Sequence, residues 1–310
     1  MNETGVLVVG SITADVTAFA DRLPGPGETV LGNDFTLVLG GKGANQAVAA
    51  AHFGPPTWMV GCVGQDPFGE LTAGGLRKHS VRTELVRTVP GATGVAHIRV
   101  DAHGQNDIVI TPLANAQLSR SDVDEALTAL RDKVGVLLLQ LEVRSDITAY
   151  AAHAGHAAGL TVILDPAPAI PIPEEVWRDI DIVTPNETEA TLITGVTVND
   201  AISAEKAAHW FIDRGVGHAI VTLGALGAVA VEATHPLFFE PYVVRAVDTT
   251  AAGDAFTGTL GAALAQGLGL PASVRHGMAA GALAVTKPGA SPCLPTRQEV
   301  LNLMATAQTA

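Results

Sequence analysis

Short apolar runs with no polar interruption recur along this chain. Residues 6–9 (VLVV), closed by Gly10, form the first; 58–63, 136–141, 161–164, 180–183 and 219–222 follow. A strand that is apolar at successive positions has both faces covered, so these runs predict a sheet buried on each side. Helical spacing fills the intervals. Ala44, Ala47, Val48 and Ala51 share one face, as do Val123, Ala126, Leu127 and Leu130 behind Ser121 as the expected cap, and Ala204, Ala207, Ala208 and Phe211. Strands alternating with helices predict an α/β fold: a doubly wound, mostly parallel sheet flanked by helices.

Two segments break this rhythm. Residues 13–39 are rich in Pro, Gly and Thr. Residues 93–113 alternate through Val95, His97 and Arg99, turn near His103, Gly104, Gln105 and Asn106, and alternate again through Ile108 and Ile110. Both read as hairpin material without helices, pairing into a small β-sheet lid. The main domain is then 1–12, 40–92 and 114–310, and 310 residues suit one α/β domain with an appended piece.

The formal charge of −13 comes without a basic stripe, which argues against nucleic acid and against an anionic membrane surface. A phosphate compound must instead be drawn in by local groups, such as helix N-termini and metal ions. Cys62 and Cys293 lack CxxC spacing and read as reduced thiols. Residues 1–10 have no basic leader pattern, and no apolar run approaches the roughly 18 residues of a membrane span. The expected location is cytoplasmic.

Four constellations carry polar chemistry. Gly40, Gly41, Lys42, Gly43, Ala44, Asn45 and Gln46 open a helix; the glycines let backbone N–H groups approach a ligand. This is neither a Walker A loop, since Gly43 follows Lys42, nor an intact dinucleotide fingerprint, since Gln46 replaces the third glycine. Asn186 and Glu189, in TPNETEA, have the spacing of a capping box, and also the location of ligand groups at a sheet's carboxyl edge. In 248–256 (DTTAAGDAF), tiny residues lead to Asp254 at the start of an apolar helix. The amides of Ala252, Gly253 and Asp254 would form an anion pocket beside a carboxylate able to accept a hydroxyl proton. The plainer alternative is that Asp254 complements the helix dipole. In 222–227 (TLGALG) a strand ends in a Gly-rich turn. Glu142, at the end of an apolar run, faces a site or is misplaced. His153 and His156 are i, i+3 on a helix without an evident third ligand for zinc. No G-x-S-x-G or H-E-x-x-H pattern occurs.

Five stretches, in order, carry a resemblance over essentially the whole chain: GGKGANQAVAA (40–50), DPAPA (165–169), TPNETEA (184–190), TLGALG (222–227) and VDTTAAGDAFTG (247–258). Together they resemble the ribokinase branch of the carbohydrate kinase family that includes adenosine kinase and fructokinase. The resemblance implies a large α/β domain with a β-sheet lid, dimerisation through the lids, and transfer of the γ-phosphoryl of MgATP to the terminal hydroxyl of ribose. It implies that Asp254 is the base, with Ala252, Gly253 and Asp254 as anion hole. Thr13, Asp15, Gly41, Lys42, Gly43, Ala44, Asn45 and Glu142 match sugar-binding positions. Asn186, the turn Thr222, Leu223, Gly224, Ala225, Leu226 and Gly227, then Gly253, Asp254 and Met278 match ATP contacts. Asn186 and Glu189 are similar to groups that organise Mg²⁺ through water. Asp248, Thr250, the carbonyls of Ala284, Lys287 and Gly289, and Cys293 fall where relatives hold an activating potassium ion.

Three positions depart from the family pattern. Thr13 stands where ribokinases have Asn against the sugar's 2-hydroxyl, which implies ribose with relaxed specificity and keeps 2-deoxyribose, another pentose or a nucleoside as alternatives. Cys293 stands where a serine helps hold potassium, and a thiol is a poor ligand for that ion. Met278 replaces a common His near adenine. From other classes, a catalytically silent sugar-binding module and a nucleotide-binding oxidoreductase are the rivals. The first is opposed by the presence of Asp254, Gly253, Asn186 and Glu189, the second by the broken fingerprint.

Overall fold

A computed structural model describes residues 4–232 and 235–307; residues 1–3, 233–234 and 308–310, all expected in the main domain, lie outside the described residues. The chain runs through β1 (Gly5–Val9), β2 (Thr13–Phe19), β3 (Asp34–Gly40), α1 (Lys42–Phe53), β4 (Thr57–Gly64), α2 (Pro67–Lys78), β5 (Val86–Val89), β6 (Gly94–Val100), β7 (Asn106–Thr111), α3 (Arg120–Ala129) and β8 (Val134–Leu139). It continues through α4 (Ser145–Ala157), β9 (Thr161–Leu164), β10 (Ile182–Val183), α5 (Glu187–Thr194), α6 (Ala201–Ile212), β11 (His218–Thr222), β12 (Ala228–Glu232), β13 (His235–Phe239), α7 (Ala252–Ala265), α8 (Leu270–Ala284) and α9 (Arg297–Ala307).

The apolar runs form one sheet, ordered β13-β12-β11-β10-β9-β8-β1-β4-β5. Pairing is parallel from β5 to β11 and antiparallel across β12 and β13. Alternation along β1 divides the core. Leu7 and Val9 face the layer with α3, α4 and α6, whereas Val6 and Val8 face the layer with α1, α2, α7 and α8. Helices α1 and α7 pack very closely: a Cβ on Gly258 would lie 2.5 Å from the Gln46 carbonyl oxygen and 2.7 Å from Ala49 Cβ. That contact brings the starts of both helices to one place.

Two local expectations change. The cap of α3 is Ser119, not Ser121, because Asp122 closes the reciprocal box with Ser119. The run 136–141 stops being strand at Leu139; beyond it Leu141 N–H turns to the Ala167 carbonyl, so Gln140 sits at the sheet's carboxyl edge.

The segments that broke the rhythm form a second sheet, ordered β3-β2-β6-β7, with β2 and β6 parallel and both outer pairs antiparallel. The junction of the two sheets is pinned by Asn115. Its Oδ1 accepts from Ile12 N at 2.9 Å, and its Nδ2 donates to Ile12 O at 2.9 Å. One face of the small sheet, with Thr13, Asp15, Ala96, Ile98, Ile108 and Ile110, covers a cavity. By strand alternation, the exposed Phe35 and Val109 lie on the other face.

Candidate active site

The cavity, about 360 Å³, lies between the small sheet and the carboxyl edge of the large one. It brings together Thr13, Asp15, Gly41, Lys42, Asn45, Glu142, Asn186, Glu189, Thr222, Thr250, Ala252, Gly253 and Asp254. Gly43 and Ala44 are buried beneath it in the first turn of α1. Beyond Thr222, residues Leu223, Gly224, Ala225, Leu226 and Gly227 lie outside its lining; Leu223 is buried and 224–226 make an exposed single turn. Met278 packs half-buried against the α7 side of the core and is also outside the lining.

Asp254 is the focus. It is 4% exposed at the third position of α7. The helix opens from Ala251, whose φ of 58° and ψ of 10° are left-handed. A β-branched or bulky residue is strained at that one position. The Ala252 amide is engaged at 3.3 Å by the Thr249 carbonyl, so the expected trio of free amides becomes a pair. Gly253 and Asp254 N–H have no acceptor among the described residues. With the helix dipole behind them, they suit an anionic oxygen.

The carboxylate of Asp254 is held by neutral donors. Asn45 Nδ2 reaches Oδ2 at 2.9 Å and Gln46 Nε2 reaches Oδ1 at 3.2 Å. Gln46 Nε2 also donates to Asp165 Oδ2 at 2.8 Å, and Gln46 Oε1 accepts from Gln140 Nε2 at 2.6 Å. Asn45 Oδ1 is buried without a partner, and Asn45 lines the cavity beside Asp254.

Acidic groups dominate the field. Burial pushes the Asp15 carboxyl up to about 7; the Thr13 hydroxyl, donating to it at 2.7 Å, works against that, and Glu142 and Asp254 add to it. Burial also raises Asp165, with Lys42 opposing, and raises Glu189 against the backbone N–H of Asn186. The Lys42 ammonium makes no hydrogen bond or ion pair among the described residues. Burial disfavours its ammonium, but Asp254, Asp165, Glu142 and Glu189 outweigh this and raise its pKa. Among the described residues lining the cavity, Lys42 is the one cationic side chain, so its ammonium is the group there that can meet an anionic oxygen against the surrounding carboxylates.

Glu142 serves the glycine loop. Its Oε2 accepts from Ser11 Oγ at 2.7 Å and from Lys42 N at 2.9 Å, while Gly43 N–H donates to Ser11 Oγ at 3.2 Å. Asn186 and Glu189 do form the reciprocal capping box, each at 2.9 Å, and they also line the cavity. Beside α7, Asp248 Oδ1 accepts from Thr250 N and Oγ1, and Oδ2 accepts from Gly289 N at 2.9 Å. Burial raises its pKa, but those bonds more than offset it. Cys293 Sγ donates to the Thr250 carbonyl at 3.7 Å, and burial pushes its thiol up to about 12. The Ala284 carbonyl accepts from Lys287 N, and the Lys287 side chain pairs with Glu299 at 2.9 Å. His153 turns to Asp179 at 3.2 Å, and no cluster of three metal-ligating residues occurs among the described residues.

Sequence reasoning gave no role to Gln46, Gln140 or Asp165. Two signals were present. Gln46 shares the buried face of α1 with Ala50 and Phe53, and Gln140 interrupts an apolar run. A buried amide must have partners.

Residues 3–297 match the family model for pfkB family carbohydrate kinases. A ribokinase of Haemophilus influenzae is 40% identical over 300 residues, covering 96% of this chain and 97% of its own. A deoxyribokinase of Salmonella typhi is 34% identical over 296 residues, covering 95% and 96%. The structure of Arabidopsis thaliana ribokinase complexed with ribose and ATP is 34% identical with a TM-score of 0.89, covering 98% of this chain and 99% of that one.

Proposed function

The chain belongs to the pfkB family of carbohydrate kinases, ATP-dependent sugar kinases, and we propose that its substrate is D-ribose, phosphorylated at O5. The observation that carries this reading is the buried Asp254 carboxylate, fixed by Asn45 and Gln46 next to the unpaired Gly253 and Asp254 amides. Asp254 takes the O5 proton as O5 bonds to the γ-phosphorus and the bond from phosphorus to the ADP oxygen breaks. The two amides and Lys42 meet the charge on the transferring group. Placement and preorganised electrostatics supply most of the acceleration.

The sugar lies under the small sheet against Thr13, Asp15, Asn45 and Glu142. We assign residues 13–39 and 93–113 as a lid that closes on it and excludes water. ATP lies toward Asn186, Glu189 and the turn 222–227, with Met278 against adenine. The oxygen donors Asn186 and Glu189 fit a hard divalent cation, held through water. When bound, Mg²⁺ neutralises phosphate charge. The Asp248 carboxylate, Thr250 and the carbonyls of Ala284, Lys287 and Gly289 fit a potassium ion; the protonated Cys293 thiol does not. The exposed Phe35 and Val109 support a homodimer through the lids. No helix of the described residues is long and apolar enough to cross a membrane, and we place the enzyme in the cytoplasm.

A second reading, 2-deoxyribose, is favoured by one bond. The Thr13 hydroxyl proton is committed to Asp15, so Thr13 offers a sugar only lone pairs. A site without a dedicated donor discriminates weakly against a missing hydroxyl. Coupled ADP release over ribose, 2-deoxyribose, fructose and adenosine tests the assignment. Ribose ranks first, with 2-deoxyribose within about 10-fold. Fastest turnover of adenosine or fructose overturns it.

A further inference from the structure

We propose that Gln46, locked by Gln140, is the positioning residue that fixes the rotation of the Asp254 carboxylate. The inference rests on Asp254 being the base. A carboxylate's terminal torsion is soft, so its plane is set by whatever donors it meets. Asp254 meets one donor on each oxygen: Asn45 on Oδ2 and Gln46 on Oδ1. Asn45 lines the cavity, where the proposed sugar would meet it; Gln46 does not line it and stands fully buried behind the carboxylate.

With Asp165 and Asp254 both as acceptors, one orientation of the Gln46 amide satisfies all of its neighbours. Reversed, it would aim its oxygen at two carboxyl groups, Asp165 and Asp254, and its nitrogen at the Gln140 donor. As it stands, Nε2 bridges the two acids and Oε1 accepts from Gln140 at 2.6 Å. Gln140 Oε1 occupies space that a Cβ on Gly10 would enter at 2.0 Å, so glycine just past β1 leaves room for the amide. The chain of contacts runs Gly10, Gln140, Gln46, Asp254, from the central strand to the base. Asp165 anchors it from the side, at the carboxyl end of β9.

Because Gln46 touches neither the sugar nor ATP space, its loss separates kcat from KM. In the full-length enzyme, Gln46→Met lowers kcat about 100-fold, the scale of a small misplacement of a reacting group, with KM for ribose and ATP within about threefold. Gln140→Met lowers kcat about 10-fold with the same split, and keeps the test alive if Gln46→Met does not fold. In Gln46→Glu, the introduced carboxyl faces Asp165 and Asp254, with Lys42, Glu142 and Glu189 around the same cavity. It donates only when protonated. Its kcat relative to the parent enzyme therefore climbs as pH falls from about 8 to about 6, which simple packing does not produce. A folded Gln46→Met or Gln140→Met enzyme with parental kcat, a change confined to KM, or a flat pH ratio for Gln46→Glu overturns the proposal. Asp254→Asn in the same assay separates the two readings. Normal turnover there defeats the base itself; an inactive Asp254→Asn beside a fully active Gln46→Met defeats only the positioning role.

Discussion

Asn45 Nδ2 donates to Asp254 Oδ2 at 2.9 Å across 209 residues of chain. The contact joins the first turns of α1 and α7, and it leaves Asn45 Oδ1 buried and unpaired beside the carboxylate. On the proposed assignment, this single amide steadies the base and its Oδ1 is the acceptor that a sugar hydroxyl would meet. Asn45→Leu should lower kcat and raise the sugar KM together, each by about 10-fold or more, while the ATP KM stays near that of the parent. Steady-state kinetics with each substrate varied in turn checks this. Equal rises in both KM values would detach Asn45 from the sugar.

Asp15 gives a dependence on pH. Its pKa goes from 3.8 to about 7 on folding, chiefly through burial. A carboxyl raised in the folded state binds its proton more tightly there than in the unfolded chain. Its stabilising contribution is complete below about 3.8 and is lost as pH rises through about 7. Asp15→Asn removes that loss. The variant should therefore gain stability over the parent at about pH 8, by up to a few kcal/mol, and gain little at about pH 4. Denaturant melts at both pH values measure the difference. At about pH 8, where Asp15 is ionised, its sugar KM rises as well, because an acceptor-only carboxylate has been replaced.

The left-handed Ala251 at the mouth of α7 is a third lever. Ala251→Val places a β-branched side chain at φ 58° and should destabilise by about 1–3 kcal/mol while displacing the Gly253 and Asp254 amides, so kcat falls as well. Ala251→Gly accepts the same backbone and should keep activity. Matching losses in both variants would show that space, rather than backbone conformation, governs the position.

Much of the architecture was legible because it rests on local periodicity. Unbroken runs such as 6–9 and 219–222 became buried strands, and the segments lacking helical spacing became the small sheet. The placing of Asn45, Glu142, Asn186 and Asp254 around one cavity also followed from motifs at the ends of apolar runs. Long-range polar contacts were not legible. Nothing local couples Gln46 to Asp165 and Gln140, or Ser11 to Glu142, since those bonds exist only once β1, β8, β9 and α1 are side by side. The Ala252 amide was misjudged for a similar reason. Counting free donors from a helix start ignores the preceding turn, where the Thr249 carbonyl takes one of them. Capping moved from Ser121 to Ser119 because two serines compete within three residues and the reciprocal Asp122 decides between them.

Phosphoryl transfer from radiolabelled ATP to ribose by Asp254→Asn, with ribose affinity measured calorimetrically on the same protein, tests the assignment of the base. The substitution keeps the size of the side chain and removes its capacity to accept a hydroxyl proton. The expected result is a transfer rate lower by about 10³-fold or more with ribose affinity within about threefold. Transfer at close to the parental rate would contradict the role of Asp254 at the centre of this site.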